Sequence, residues 1–307
     1  MRLLAILAVS LSLVACAQQT PEAGSPGLPA PAEDKAKLDQ LAKEALARWD
    51  AAVAANKGKP SFVPVGELTD QIGNWEDAVG GNNKMALSAG ALVDKAGLSE
   101  SAPADARVQW ADGKSLEVPV MSAAQTLRSM QTGRSCDGCK PLEVVDARLS
   151  TKELATSRGK ATVPVWEYVL SGTRVIVTRV AVSPTAGITV TPPPWDPNNA
   201  PGGLSVESAT ASPDGKKLTA AFIGSQGPAS EPCGTDYSAY AVESANAVVI
   251  VILSTPFAGT MGSNFACTAM GYPRTADATL AAPLGDRSVL EVRQGLPIPV
   301  TIASAGK

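Results

Sequence analysis

The sequence predicts a mainly β protein, its strands forming sandwich-like or mixed antiparallel sheets in two β-rich domains, with one amphipathic helix on the N-terminal side. Three observations carry this expectation. Beyond Pro60, short runs of Val, Ile, Thr and aromatic residues alternate with turn residues, the pattern of strands and hairpins. Between Asp34 and Ala55, Leu38, Leu41, Ala45, Leu46, Trp49 and Val53 recur at three and four, the period of a helix with one apolar face. Thr191 to Gly203 places five prolines in thirteen residues, a stiff, solvated connection between two halves.

At the start of the chain, Met1 and Arg2 give a short positive segment, and Leu3 to Leu13 an apolar run broken only by two serines. Small residues follow, which is the layout of a secretion signal. The run is shorter than the roughly 20 residues of a membrane-spanning helix. Leu13-Val14-Ala15-Cys16 has the form of a bacterial lipobox. Residues 1–15 therefore read as a lipoprotein signal peptide, and Cys16 as the lipidated first residue of the mature chain, held at the membrane by palmitate-type acyl chains at about 0.8 kcal/mol per buried CH₂. Residues 16–33 are rich in Pro, Gly, Ala and polar side chains, too poor in apolar surface to order themselves, and read as a tether.

Domain one is expected over 34–190, comprising the helix and a β-rich part. Gln109-Trp110-Ala111-Asp112-Gly113-Lys114 places Asp-Gly between strand-like flanks, as a hairpin turn requires. Ser122 to Met130 reads as a short helix. Val163 to Leu170, Ser171-Gly172 and Thr173 to Val182 make a second hairpin, apolar on both faces and so expected to be central and buried. After the linker at 191–203, domain two is expected over 204–303 as a sandwich. Its Ala211-Ser212-Pro213-Asp214-Gly215-Lys216 is a third hairpin turn, and Ala247 to Leu253 is a continuous β-branched run that belongs in its core.

With a net charge of −3 and no basic block, the chain lacks the electrostatic footprint of a nucleic-acid binder. It contains no histidine, which removes imidazole bases, Ser-His-Asp and Cys-His nucleophile pairs and imidazole metal ligands. Neither a Gly-x-Ser-x-Gly elbow nor a phosphate-cradling or dinucleotide-binding glycine loop occurs. Ser157-Arg158-Gly159-Lys160 matches a Ser-x-x-Lys pattern, but its Arg-Gly suggests a turn where that chemistry needs a helix start. Glu67, Asp70, Glu76 and Asp77 lack the spacing of a calcium loop and read as a solvated acidic face. Among the tryptophans, Trp166 and Trp110 fall in strands and read as core; Trp75 and Trp195 are further aromatic candidates for stacking on sugars, and only Trp195, in the linker, invites a binding role. No cofactor or metal is expected.

With Cys16 lipidated, four cysteines remain, and an even number in an oxidising compartment implies disulfides with three possible pairings. Each domain holds two, so Cys136–Cys139 and Cys233–Cys267 is the pairing that needs no bridge between domains. Cys136-Asp137-Gly138-Cys139 is the one motif able to carry chemistry, as a thiol–disulfide exchange centre. Lys140-Pro141 and a strand-like Leu142-Glu143-Val144-Val145 follow at once, so no helix dipole is expected beside a thiolate, and a static turn-closing disulfide is the plainer reading. Zinc would need ligands from both domains.

Cys233 with Tyr237, Glu243-Ser244 before Ala247 to Leu253, Cys267-Thr268-Ala269-Met270-Gly271-Tyr272 with Arg274, and Pro283-Leu284-Gly285-Asp286-Arg287 form a layout across the C-terminal half. In the first half, Cys136 and Cys139-Lys140-Pro141-Leu142, Arg158-Gly159, and Val163-Pro164-Val165-Trp166-Glu167-Tyr168 extend it. This layout resembles uncharacterised exported lipoproteins of high-GC Gram-positive, actinobacterial-type bacteria. The resemblance implies the address and the fold, and it brings no activity, substrate or catalytic residue.

The expectation is a lipid-anchored extracytoplasmic protein at the cell membrane, non-catalytic, with a binding or scaffolding role toward a protein or cell-wall ligand. The alternatives are an envelope thiol–disulfide redox protein using Cys136 and Cys139, and a glycan or cell-wall binding module.

Overall fold

In the computed structural model, the described residues are 34–57, 61–75, 83–134, 136–188, 190–196, 200–261 and 266–303. The signal peptide, Cys16 and the tether fall outside them, as do Glu76 and Asp77. The protein is mainly β, with an N-terminal helix and several antiparallel and mixed sheets.

Helix α1 spans Lys35–Ala55. Asp34 caps it, its Oδ1 accepting the N–H groups of Ala36 (2.9 Å) and Lys37 (3.3 Å) that the first helical turn leaves unpaired. Leu38, Ala45, Leu46 and Trp49 are buried, as the spacing predicts, Leu41 and Val53 of the same stripe are partly buried, and Ala42 beside it is buried as well. Their contacts correct the expected grouping of the helix with the first half. They pack chiefly with Ala247, Val249, Val251, Leu290 and Val292 of the second half, with Val63 of the first half at the edge of the same cluster. Tyr240 Oη donates to Asp39 Oδ1 (2.7 Å) and Ser244 Oγ to Asp50 Oδ1 (3.0 Å) across the same contact.

The reason lies in the C-terminal strands: β8 (Val206–Ala211), β9 (Lys217–Gly224), β10 (Thr235–Glu243), β11 (Ala247–Pro256), β12 (Tyr272–Thr279), β13 (Ser288–Glu291) and β14 (Val300–Ile302). They form a β10-β11-β13 sheet and a β12-β9-β8-β14 sheet. Side chains alternate across a strand, so β11 sends Val248, Ile250 and Ile252 into the core between the sheets and Ala247, Val249 and Val251 outward. All six are fully buried because α1 covers that outer face. The continuous apolar run is thus a strand sandwiched between a sheet and a helix. Each fully buried Val or Ile side chain contributes about 1.5–3 kcal/mol relative to exposure. At the β8–β9 turn, Gly215 takes φ +70 and Asp214 Oδ1 accepts the N–H of Lys216 (3.0 Å), the role read for Asp-Gly from sequence.

The first half holds β1 (Thr69–Ile72), β2 (Leu92–Asp94), β3 (Ala106–Trp110), β4 (Ser115–Val118), β5 (Leu142–Thr156), β6 (Gly159–Leu170) and β7 (Ile176–Val180), with α2 (Asn83–Ser88) and α3 (Ala123–Met130). The order is β1-β7-β6-β3-β4, with β5 also on β6 and β2 on β5. Ahead of β1, the chain returns to the end of β5: Val65 N–H donates to Ala155 O and Ser157 N–H to Val63 O, both at 3.0 Å. The sheet therefore curls and closes on itself. Ala161, Val163 and Val165 of β6 point to the inner cluster with Phe62, Val108 and Val180. Trp166, Tyr168 and Leu170 point to the outer cluster under α3 with Leu127 and Met130. The predicted central hairpin is β6–β7, and the predicted short helix is α3, whose Ser122 and Gln125 form a reciprocal capping box.

The Pro-rich connection is less solvated at its end than its composition suggests. Gly203 (φ +95) lies so close to α1 and to the residue after β13 that a Cβ would stand 2.7 Å from Val292 Cγ1 and 3.2 Å from Leu38 Cδ2.

Candidate functional site

Three turns distant in sequence meet between the halves. At the β5–β6 turn, the Thr156 hydroxyl donates to Gly159 O (2.5 Å) and accepts the Arg158 N–H (3.1 Å) and the Trp110 Nε1–H (3.0 Å). That uses one donor and two acceptor positions, all a hydroxyl has. The Arg158 guanidinium is thereby set over the Trp110 ring, 4.8 Å from its centroid. From the β3–β4 turn comes Lys114, its N–H held by Asp112 Oδ1 at 3.0 Å.

Facing them is the 282–287 loop, built around Arg287. Its guanidinium donates to the carbonyls of Ala282 (2.8 Å), Pro283 (3.0 Å) and Leu284 (3.2 Å) and to Glu243 Oε2 (2.7 Å). The loop presents Asp286, whose Oδ1 takes both Arg158 Nη2 (2.7 Å) and Lys114 Nζ (3.0 Å). Beside this cluster opens a cleft of about 370 Å³, lined by Trp49, Ser61, Ser157, Arg158, Asn246 and Asp286 among others.

The hydrogen bond from Lys114 and the charge of Arg158 hold the Asp286 carboxyl below the usual carboxylate range, against the opposing effect of burial. At Glu243 burial is the largest influence and pushes upward. The Ala281 N–H (2.7 Å) and Arg287 together outweigh it and lower the pKa. Among the described residues, every carboxyl whose pKa is displaced is displaced downward. A depressed carboxyl stabilises the fold above its unfolded pKa, and this is lost as pH falls through the folded pKa. Stability is therefore expected to fall below about pH 4. Glu243→Gln should lower the melting temperature at pH 7 and flatten its acid dependence; an unchanged acid limb in that variant would remove Glu243 from the account.

The cysteines pair as expected in geometry, with Cα atoms 5.6 Å apart for Cys136–Cys139 and 5.5 Å for Cys233–Cys267, each pair at bonding distance. Cys139 N–H donates to Cys136 O (3.4 Å), Gly138 takes φ +74, and β5 begins at Leu142. The first pair thus closes a turn entering a strand, with the half-buried Cys139 against the outer cluster. Cys233 itself has φ +64 and precedes Gly234, where a Cβ would stand 1.7 Å from Pro228 O. This tight corner begins β10.

Ser157 and Lys160 do not act together. Ser157 is buried in the turn and Lys160 Nζ pairs with Glu153 (2.6 Å). Asp70 pairs with Lys152, and Glu67 contributes only charge near Arg179. No group of three or more metal-ligating side chains exists among the described residues. Trp75 and Trp110 are buried, and Trp166 packs half-buried with its Nε1 donating to Met121 O (2.9 Å). Trp195 is exposed, with Arg293 above its ring.

Sequence reasoning did not single out Lys114 or the pairing of Arg158 with Asp286, which are 172 and 128 positions from their partner. The sequence signal was indirect: Arg158-Gly159, Glu243-Ser244 and Asp286-Arg287 all belong to the resembling layout, which does not pair them. No protein family matches the chain, nor does any curated protein or solved structure.

Proposed function

We propose that the protein is a lipid-anchored, extracytoplasmic protein with a non-catalytic binding or scaffolding role at the cell membrane. The observation that carries the non-catalytic part is the pairing in the cleft: Asp286 is shared by Arg158 and Lys114 from the opposite half. General acid–base work needs a group poised to exchange a proton near neutral pH, whereas this cluster lowers its carboxyl's pKa. Such a cluster favours joining the halves over moving protons. The placement of Cys139 ahead of a strand supports a static bridge over an exchange centre, since no helix N-terminus follows to stabilise a thiolate. The anchor rests on Leu13-Val14-Ala15-Cys16.

Labelling with a palmitate analogue tests the anchor. The wild-type chain should incorporate label and sediment with membranes, while Cys16→Ala should do neither. Equal membrane recovery of both would refute lipidation at Cys16. Thiol trapping in the same preparations should show a Cys136/Cys139 potential below about −300 mV with no fast-reacting thiolate; a value between about −200 and −120 mV would turn the reading to redox exchange.

A further inference from the structure

After β13 the chain turns sharply. Glu291 accepts the N–H groups of Arg293 (2.8 Å) and Gln294 (2.7 Å), so its carboxylate caps the turn. Against this turn lies Trp195, 46% exposed, with the Arg293 guanidinium 4.7 Å from its ring centroid. Arg293 makes no side-chain hydrogen bond or ion pair among the described residues, and its Nε is buried without a partner. Arg48 of α1 reaches the same turn through one long bond, Nη2 to Gln294 O (3.4 Å), and its Nε is likewise buried and unpartnered. Trp195, Ser205, Glu291, Arg293, Gln294 and Leu296 line a cavity of about 490 Å³ here.

A guanidinium carries five N–H donors, and desolvating them without acceptors is costly. Two arginines elsewhere in the fold answer that cost within the protein: Arg287 engages four carbonyls and a carboxylate, and Arg128 takes Glu100 at 2.5 and 2.7 Å; Arg179, away from this cavity, leaves its buried Nε unpartnered but donates through Nη1 to Thr69 (2.9 Å). Arg293 instead lines an open surface cavity with no hydrogen-bonding partner for its guanidinium among the described residues. A planar guanidinium matches a carboxylate in two-point geometry, and an exposed indole offers a flat apolar surface. A sugar ring bearing a carboxylate combines the two complementary features.

We propose that this cavity binds an acidic glycan, its carboxylate on the guanidinium of Arg293 that already lies over the Trp195 ring, a pyranose against the exposed part of Trp195 that Arg293 leaves uncovered, and Arg48 with Arg293 outweighing the Glu291 carboxylate, which the turn N–H groups hold. This gives the proposed binding role a ligand class and rests on that reading. Because the test reads binding by the full chain in detergent micelles, its failure is distinguishable from failure of the anchor.

Calorimetric titration with trigalacturonate, its neutral methyl ester and acetate tests the assignment. Trigalacturonate should bind, and the ester and acetate should each bind about tenfold more weakly or not at all, the loss of one charge-assisted contact or of the stacking surface. Arg293→Gln and Trp195→Ala should each weaken trigalacturonate by about tenfold or more. Trp195→Phe, which keeps a flat ring, should retain most of the affinity, and melting temperatures confirm that each variant folds. No binding of trigalacturonate, equal binding of the ester or of acetate, or wild-type affinity in folded Arg293→Gln would overturn the proposal.

Discussion

Trp49→Ala is expected to destabilise the C-terminal half by about 3–5 kcal/mol, the usual cost of emptying a large aromatic site in a core. Trp49 is 1% exposed and lies among Leu46, Val249, Val251 and Leu290, so the vacated volume sits between helix α1 and the sheet it covers. Hydrogen exchange locates the effect. Amides of β10, β11 and β13 should lose protection before those of the β5–β6 hairpin. Equal loss in both halves would show that α1 stabilises the molecule as a whole.

The second large effect is expected from the Cys233–Cys267 bridge. Its two ends are 34 residues apart, and on the loop-entropy model removing it costs about 4 kcal/mol. The Cys136–Cys139 bridge spans only 3 positions, excludes few unfolded conformations, and is worth about 2 kcal/mol or less. Cys233→Ser with Cys267→Ser should therefore shift the urea midpoint far more than the same pair of changes at Cys136 and Cys139. The opposite order would mean that the short turn organises the outer core around Cys139, a role that chain entropy does not contain.

Much of this architecture was legible in the residues because it is local. Asp-Gly at 112–113 and 214–215 sets hairpin turns whatever surrounds them, and Ser122 with Gln125 caps a helix from within four positions. The β6–β7 hairpin followed from runs that are apolar on both faces. The docking of α1 was not legible. An apolar stripe at three and four states that one face is buried and says nothing of what covers it, so proximity in the chain favoured the first half. The outward face of β11, with Ala247, Val249 and Val251, was the missing partner. Long-range charge pairs were equally hidden: Glu243 and Arg287 are 44 apart, and no periodicity relates them. Most of β5 also escaped notice, since Asp146 to Glu153 is largely exposed and alternates polar residues with few apolar ones.

The seat of α1 on β11 also decides which parts of the molecule feel a mechanical pull. Asp39 and Tyr240, bonded at 2.7 Å, are 201 residues apart. Tension entering at residue 34 and leaving through the C-terminal sandwich passes directly across the α1–β11 contact. The curled sheet of the first half, inserted between those two elements, lies beside that route as a slack loop. Drawing the N-terminal end away from a held C-terminal half should strip the helix from its sheet while the β5–β6 hairpin stays folded.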